Sequence, residues 1–173
     1  MVARVKTVSF QGVSVLDVDV EVQISSGLVA FTIVGLPDKA VAESRERVRS
    51  ALHAMGLSLP AKRLTINLAP ADVLKEGSHY DLPIALGILT AMEIIPQDQI
   101  DEFYALGELG LDGQLRAVNG VLPAALYANQ KNMGLICPYQ TGSEAAWAGS
   151  GHVIAPRSLL QLINHFKGTH VIT

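Results

Sequence analysis

The chain has 173 residues, 49% of them hydrophobic, which suffices for one domain with a sizeable core and is too little for two ordinary ones. A net charge of −3 argues against a dedicated nucleic-acid binder. The single Cys137 excludes an internal disulfide or a Cys-rich zinc site, the apolar runs are too short for a bilayer span, and no signal-peptide block opens the chain. A soluble, cytoplasmic α/β domain without a membrane partner is expected.

In chain order, residues 4–10 and 17–24 alternate as half-buried strands do, and 28–34 is a more continuous apolar run. These three predict an opening sheet joined by Gly/Ser turns. Pro37 suits a first helical turn, and Val41, Val48, Leu52 and Met55 recur at helical spacing, so a helix is predicted over 38–55, stopped by Gly56 and Pro60. Residues 62–68 read as a buried strand, 69–81 as a loop and 82–93 as a helix. The stretch 104–118 reads as a hairpin turning at Asp112-Gly113. Gly120 opens a helix to about Gln130; then strand 134–137, helix 144–147, strand 152–154 and helix 158–166 complete the chain.

Charge is segregated: residues 1–75 hold nine Lys/Arg and seven Asp/Glu, and residues 76–173 hold four and nine. Between Lys39 and Lys75 seven basic residues face three acidic ones, a local excess that favours a polyanion. The helix over 38–55 carries Arg45, Arg47 and Arg49, which do not share one face. Helical projection puts Arg45 near the apolar stripe and Arg47 on its flank. They either hold phosphates or a neighbouring subunit, or pair with Glu43, Glu46 and carboxylates of the sheet.

No Gly-x-x-x-x-Gly-Lys-Ser/Thr loop occurs, so ATP hydrolysis is not assigned to this chain and no cofactor is expected in it. His53, His79, His152, His165 and His170 are scattered without ligand spacing, so no metal site is expected either. The densest chemistry lies in Lys75-Glu-Gly-Ser-His-Tyr-Asp-Leu-Pro83. Ser78, His79 and Asp81 invite a hydrolase reading, yet residues adjacent in sequence rarely converge on one oxygen. The alternative is that Asp81 or Ser78 caps the helix beginning near Leu82.

Five ordered motifs carry a resemblance: Ile33-Val-Gly-Leu-Pro37, Glu43-Ser-Arg-Glu-Arg-Val-Arg-Ser50, Ile66-Asn-Leu-Ala-Pro-Ala-Asp72, Lys75-Glu-Gly-Ser-His-Tyr-Asp-Leu-Pro-Ile84 and Gly107-Glu-Leu109. Together they resemble the amino-terminal domain of the ComM/YifB family of magnesium-chelatase-like AAA+ ATPases. The resemblance implies a single Lon-protease-like α/β domain over residues 1–168, a mixed sheet with packed helices similar to the carboxyl-terminal domain of RadA. Residues 169–173 would lead toward an AAA+ module that holds ATP and Mg. It further implies a hexameric helicase that drives branch migration in natural transformation and homologous recombination.

Laid on the Lon-type Ser-Lys site, the resemblance puts His79 at the nucleophile, Ser78 just before it and Leu122 at the lysine. A shift of one residue restores Ser78, but no lysine lies between Lys75 and Lys131, so the base is missing. A non-catalytic domain is therefore expected, one that contacts single-stranded or branched DNA weakly or organises the ring. Lys39, Arg47, Arg49, Lys62, Arg63, Lys75 and Arg116 are the candidate contacts, although RadA's Lys-Asn-Arg-Phe-Gly motif does not occur. The alternatives are a scaffold whose acidic half docks the ATPase module or a partner, and a residual Ser-based peptidase.

Overall fold

A computed structural model describes residues 2–149 and 151–168. The predicted tail 169–173, with His170, lies outside the described residues. Strands β1 (Val2–Gln11) and β2 (Ser14–Ser25) form a long hairpin in register from Val2 opposite Gln23 to Gln11 opposite Ser14. Gly12 supplies the left-handed residue of its tight turn at φ 59°.

The next strand, β3 (Ala30–Val34), does not pair with β2. After helix α1 (Asp38–Ala54), strand β4 (Arg63–Ala69) inserts between them, antiparallel to β2 and parallel to β3. The expected three-strand opening sheet is thus corrected. The Ser26-Gly27 turn carries the chain past the sheet, and the slot beside β2 is filled only when the helical crossover returns.

Helix α2 (Asp81–Ala91) follows the loop after β4, and α3 (Gln97–Ile100) is a short turn that the sequence analysis missed. Strand β5 (Phe103–Ala105) pairs in parallel with β1. The predicted hairpin over 104–118 is corrected in extent. Its first residues belong to β5, and only β6 (Glu108–Leu109) and β7 (Leu115–Arg116) form a ribbon around Asp112-Gly113.

Helix α4 (Val121–Gln130) begins after Gly120, as expected, with that glycine at φ 87°. Strand β8 (Gly134–Ile136), helix α5 (Gly142–Ala146), strand β9 (Val153–Ile154) and helix α6 (Leu159–Phe166) complete the order. The main sheet runs β3-β4-β2-β1-β5-β8-β9, antiparallel around β2 and parallel from β1 to β9.

Alternation along the strands divides the core into two layers. Val5, Val20, Ile66, Ala105, Ile136 and Ile154 face α1, α2 and α6, whereas Val8, Tyr104, Leu135 and Cys137 face α4 and α5. The parallel half is therefore covered on both sides. The antiparallel half keeps one polar face, where cross-strand partners pair by charge: Arg4 with Glu21 at 3.5 Å and Lys6 with Asp19 at 3.4 Å.

Helix α2 is apolar on every side and buried from Asp81 through Thr90. Its Gly87 lies so close to the sheet that an added Cβ would stand 2.6 Å from Val22 Cγ2. No helix among the described residues is long and apolar enough to cross a membrane.

Candidate functional site

Because α2 has no solvent-facing side, a carboxylate at its first residue must find partners inside the protein. Asp81 does so at the junction of α1, α2 and β6. Arg47 Nε donates to Oδ2 at 2.5 Å and Arg47 Nη2 to Oδ1 at 3.1 Å. Ser44 Oγ donates at 2.8 Å, and the Leu109 amide donates to Oδ2 at 3.1 Å. Burial pushes the Asp81 carboxyl up, while Arg47, Leu109 and Ser44 oppose it; the same hydrogen bonds raise the Arg47 guanidinium.

This geometry corrects the helix-cap expectation. Tyr80, not Ser78, precedes α2, and no side chain caps it. Asp81 spends its oxygens on tertiary contacts instead. Arg45 and Arg47 are both half-buried, as their places near the apolar stripe and on its flank suggest: Arg45 donates to the Phe31 carbonyl at 3.2 Å, and Arg47 pairs with Asp81. Arg49 pairs weakly with Glu46 at 3.9 Å, which is the partner anticipated for this helix.

His79 is buried, and the Val8 carbonyl accepts from its Nε2 at 2.7 Å. Burial lowers its pKa, partly offset by that carbonyl, so the ring is held neutral. Its Nδ1 lies beside Gly77, 3.1 Å from where a Cβ would stand at φ 100°. With Asp81 committed to Arg47 and His79 to Val8, the Ser78-His79-Asp81 stretch does not assemble as a relay. Leu122 sits half-buried in the first turn of α4, where its amide donates to Glu144 at 3.1 Å.

The seven candidate cations fall into distinct settings. Lys75 is 1% exposed, and its ammonium donates to the Pro70 and Val73 carbonyls at 2.6 and 2.8 Å. Burial lowers its pKa. As placed, it braces the loop and presents no charge to solvent, and Arg47 is likewise committed to Asp81. Lys39, Arg49, Lys62, Arg63 and Arg116 are exposed.

Three of these flank the sheet edge where β3 and β4 begin, though not on one face. Arg49 lies over the Phe31 ring at 5.7 Å on the side of α1, whereas Arg63, in register with Ala30, shares the opposite, polar face with Asn67. Lys62 accepts from the Ala30 amide through its carbonyl at 3.4 Å. Lys39 is near the other end of α1, about 15 Å away at 1.5 Å per residue. Arg116 is on the ribbon, opposite Glu108. A groove of about 580 Å³ is lined by Arg49, Ser50, His53, Ala54, Ser58, Leu59 and Leu111.

Residues 20–141 match the family model described as Subunit ChlI of Mg-chelatase. The chain belongs to this magnesium-chelatase-like ComM/YifB family. It is 43% identical over 157 residues to competence protein ComM of Haemophilus influenzae, covering 91% of this chain and 31% of that one. It is 43% identical over 163 residues to YifB of Escherichia coli, covering 93% and 32%, respectively. An uncharacterized protein of Mycobacterium tuberculosis is 39% identical over 167 residues, covering 96% and 33%. The chain therefore spans about a third of the length of these ComM/YifB relatives.

Two exposed residues outside the candidate set also stand at a sheet end. Tyr139 follows β8 and Arg157 follows β9, with the guanidinium 3.9 Å from the ring centroid. The signal in the sequence is the pair Cys137-Pro-Tyr139 and Ala155-Pro-Arg157, each directly after a strand.

Proposed function

We propose that this chain is a non-catalytic, DNA-contacting domain of a larger ComM-like AAA+ ATPase. In this reading the rest of the protein binds ATP and Mg and works as a hexameric branch-migration motor in transformation and recombination. The observation that carries the reading is the set of exposed cations Arg49, Lys62 and Arg63, which flank on either side the sheet edge where β3 and β4 begin. Such cations suit phosphates and give salt-sensitive, sequence-independent attraction. Lys39, near the other end of α1, and Arg116, on the ribbon, would be separate contacts, and self-association into a ring would multiply weak single contacts. The family membership supports the parent's role, and the engaged His79 and Asp81 support a domain without hydrolase chemistry. The Lon-protease-like and RadA-like ancestry of the sheet belongs to the same proposal.

The test is a titration of fluorescent single-stranded, duplex and branched DNA at low and moderate salt. The variant Arg49→Ala, Lys62→Ala, Arg63→Ala should lose affinity and flatten the salt dependence by about 0.7–0.9 log units per phosphate contact removed. Equal binding by the variant would sink the assignment of these contacts.

A second reading is favoured by Trp147, which is 84% exposed at the end of α5. An exposed tryptophan suits a protein contact. The domain would then serve as a scaffold for the ATPase module or a neighbouring subunit. Trp147→Ala would dissociate that contact while leaving DNA affinity intact.

A further inference from the structure

The parallel strands β8 and β9 are in register, Ile136 opposite Ile154, and each continues through one residue and a proline. This places Tyr139 and Arg157 at equivalent positions, three residues beyond each strand end. Helices cover both faces of a parallel sheet, so the ends of its strands are where side chains can reach solvent. Here that position holds a flat guanidinium 3.9 Å over the ring of a tyrosine that stays 51% exposed.

The surroundings fix this pair firmly. The Tyr139 amide donates to the Pro156 carbonyl at 3.0 Å, and the Leu115 amide donates to the Arg157 carbonyl at 2.9 Å. Gln140 Nε2 donates to the Leu115 carbonyl at 3.4 Å, which ties the ribbon strand β7 to both loops. Among the described residues no carboxylate lies within 4.0 Å of the Arg157 guanidinium. Its charge is open to a ligand.

We infer that Tyr139 and Arg157 form a stacking platform for a base of single-stranded DNA, with Arg116 offering a second cation at the same end of the sheet. The inference rests on the DNA-contact reading and deepens it by naming the strand form and a second contact. Glu108 and Asp112 on the neighbouring ribbon temper the local positive charge, so this contact depends on stacking more than on phosphate attraction. Bases stack on an aromatic or guanidinium plane regardless of sequence.

That division sets the test. Oligothymidylate carrying 5-iodouracil is irradiated with the protein, and the cross-linked peptide is identified by mass spectrometry. Unmodified oligothymidylate is titrated across a salt series with free thymidine monophosphate as competitor. The expected result is a cross-link at Tyr139. Tyr139→Ala should weaken single-strand binding about tenfold without changing the salt slope, and Tyr139→Phe should retain it. Arg157→Ala should weaken binding and lower the slope. Circular dichroism verifies that each variant is folded.

Wild-type affinity in Tyr139→Ala, with cross-links confined to α1 and β4, overturns the platform and leaves the assignment of Arg49, Lys62 and Arg63 standing. Full displacement by the free nucleotide overturns the strand in favour of a nucleotide pocket. No binding of any DNA by the wild-type chain overturns both the platform and the DNA-contact reading beneath it.

Discussion

Replacing Arg47 by alanine strips a carboxylate that is 1% exposed of its one cationic partner, leaving only the Ser44 hydroxyl and the Leu109 amide. Breaking a buried pair from one side costs about 3–5 kcal/mol. For a domain of this size each kcal/mol lowers Tm by about 2–4 °C, so a fall of roughly 6–20 °C is expected. The cost depends on pH in a definite direction. Burial already pushes the Asp81 carboxyl up, and losing the guanidinium pushes it further. The folded variant then binds a proton that the unfolded chain releases at lower pH. The group's favourable contribution is complete below the unfolded pKa and is lost as pH rises through the folded one. The gap between Arg47→Ala and the wild type should therefore widen from pH 5.5 to pH 8, by at most about 1.4 kcal/mol per unit. Urea unfolding followed by far-UV circular dichroism at the two pH values measures it. The exposed Trp147 makes fluorescence a poor probe. Adding Asp81→Asn to Arg47→Ala should remove the pH dependence and recover part of the loss. A gap below about 1 kcal/mol at both pH values, smaller than a typical buried pair implies, would refute the reasoning.

Gly87→Ala should destabilise despite alanine's better helix propensity of about 1 kcal/mol, because the new methyl meets Val22 in a packed interface; urea midpoints with unchanged m-values would register a net loss. Neutral, buried His79 should make stability fall on acidification below its ordinary pKa of 6.5, since there the unfolded chain binds a proton that the folded ring resists. His79→Gln should flatten that part of the profile in pH-dependent unfolding. Lys75→Met should lower stability yet leave the salt slope of DNA binding unchanged, whereas Lys62→Ala should lower the slope; a reduced slope in Lys75→Met would contradict the buried placement of its ammonium.

Elements whose evidence is local were legible in the sequence. The alternation of β1 and β2 follows directly from one face packing on α2 while the other carries the Arg4–Glu21 and Lys6–Asp19 pairs. Ser158 accepts from the Gln161 amide at 3.1 Å, as a residue at the head of a helix should. What escaped was non-local. The insertion of β4 beside β2 depends on pairing across the whole α1 crossover, and the ribbon β6–β7 depends on docking to the start of α6. Asp81 read as a cap because its neighbours in sequence are a turn and a proline. Its partner Arg47 lies 34 residues earlier. The available signal was that residues 82–92 carry no charged side chain on any side, so an acidic group at their head could not remain in solvent.

The same asymmetry limits where a polyanion can bind. The open face of the antiparallel half looks like a platform, yet two of its basic side chains are answered in register by acids, Arg4 by Glu21 and Lys6 by Asp19, with Asn67 adding a bond to Glu21 at 2.9 Å, while Arg63 at its margin stands opposite Ser25. A phosphate there would have to displace these carboxylates or stand beside them. The parallel half has both faces covered by helices and offers only its ends. Under the proposed DNA contact, Arg49, Lys62 and Arg63 would attract phosphate and the Tyr139–Arg157 pair would stack a base. The two positions respond differently to salt, so measuring affinity at several ionic strengths separates them even where either contact alone is weak.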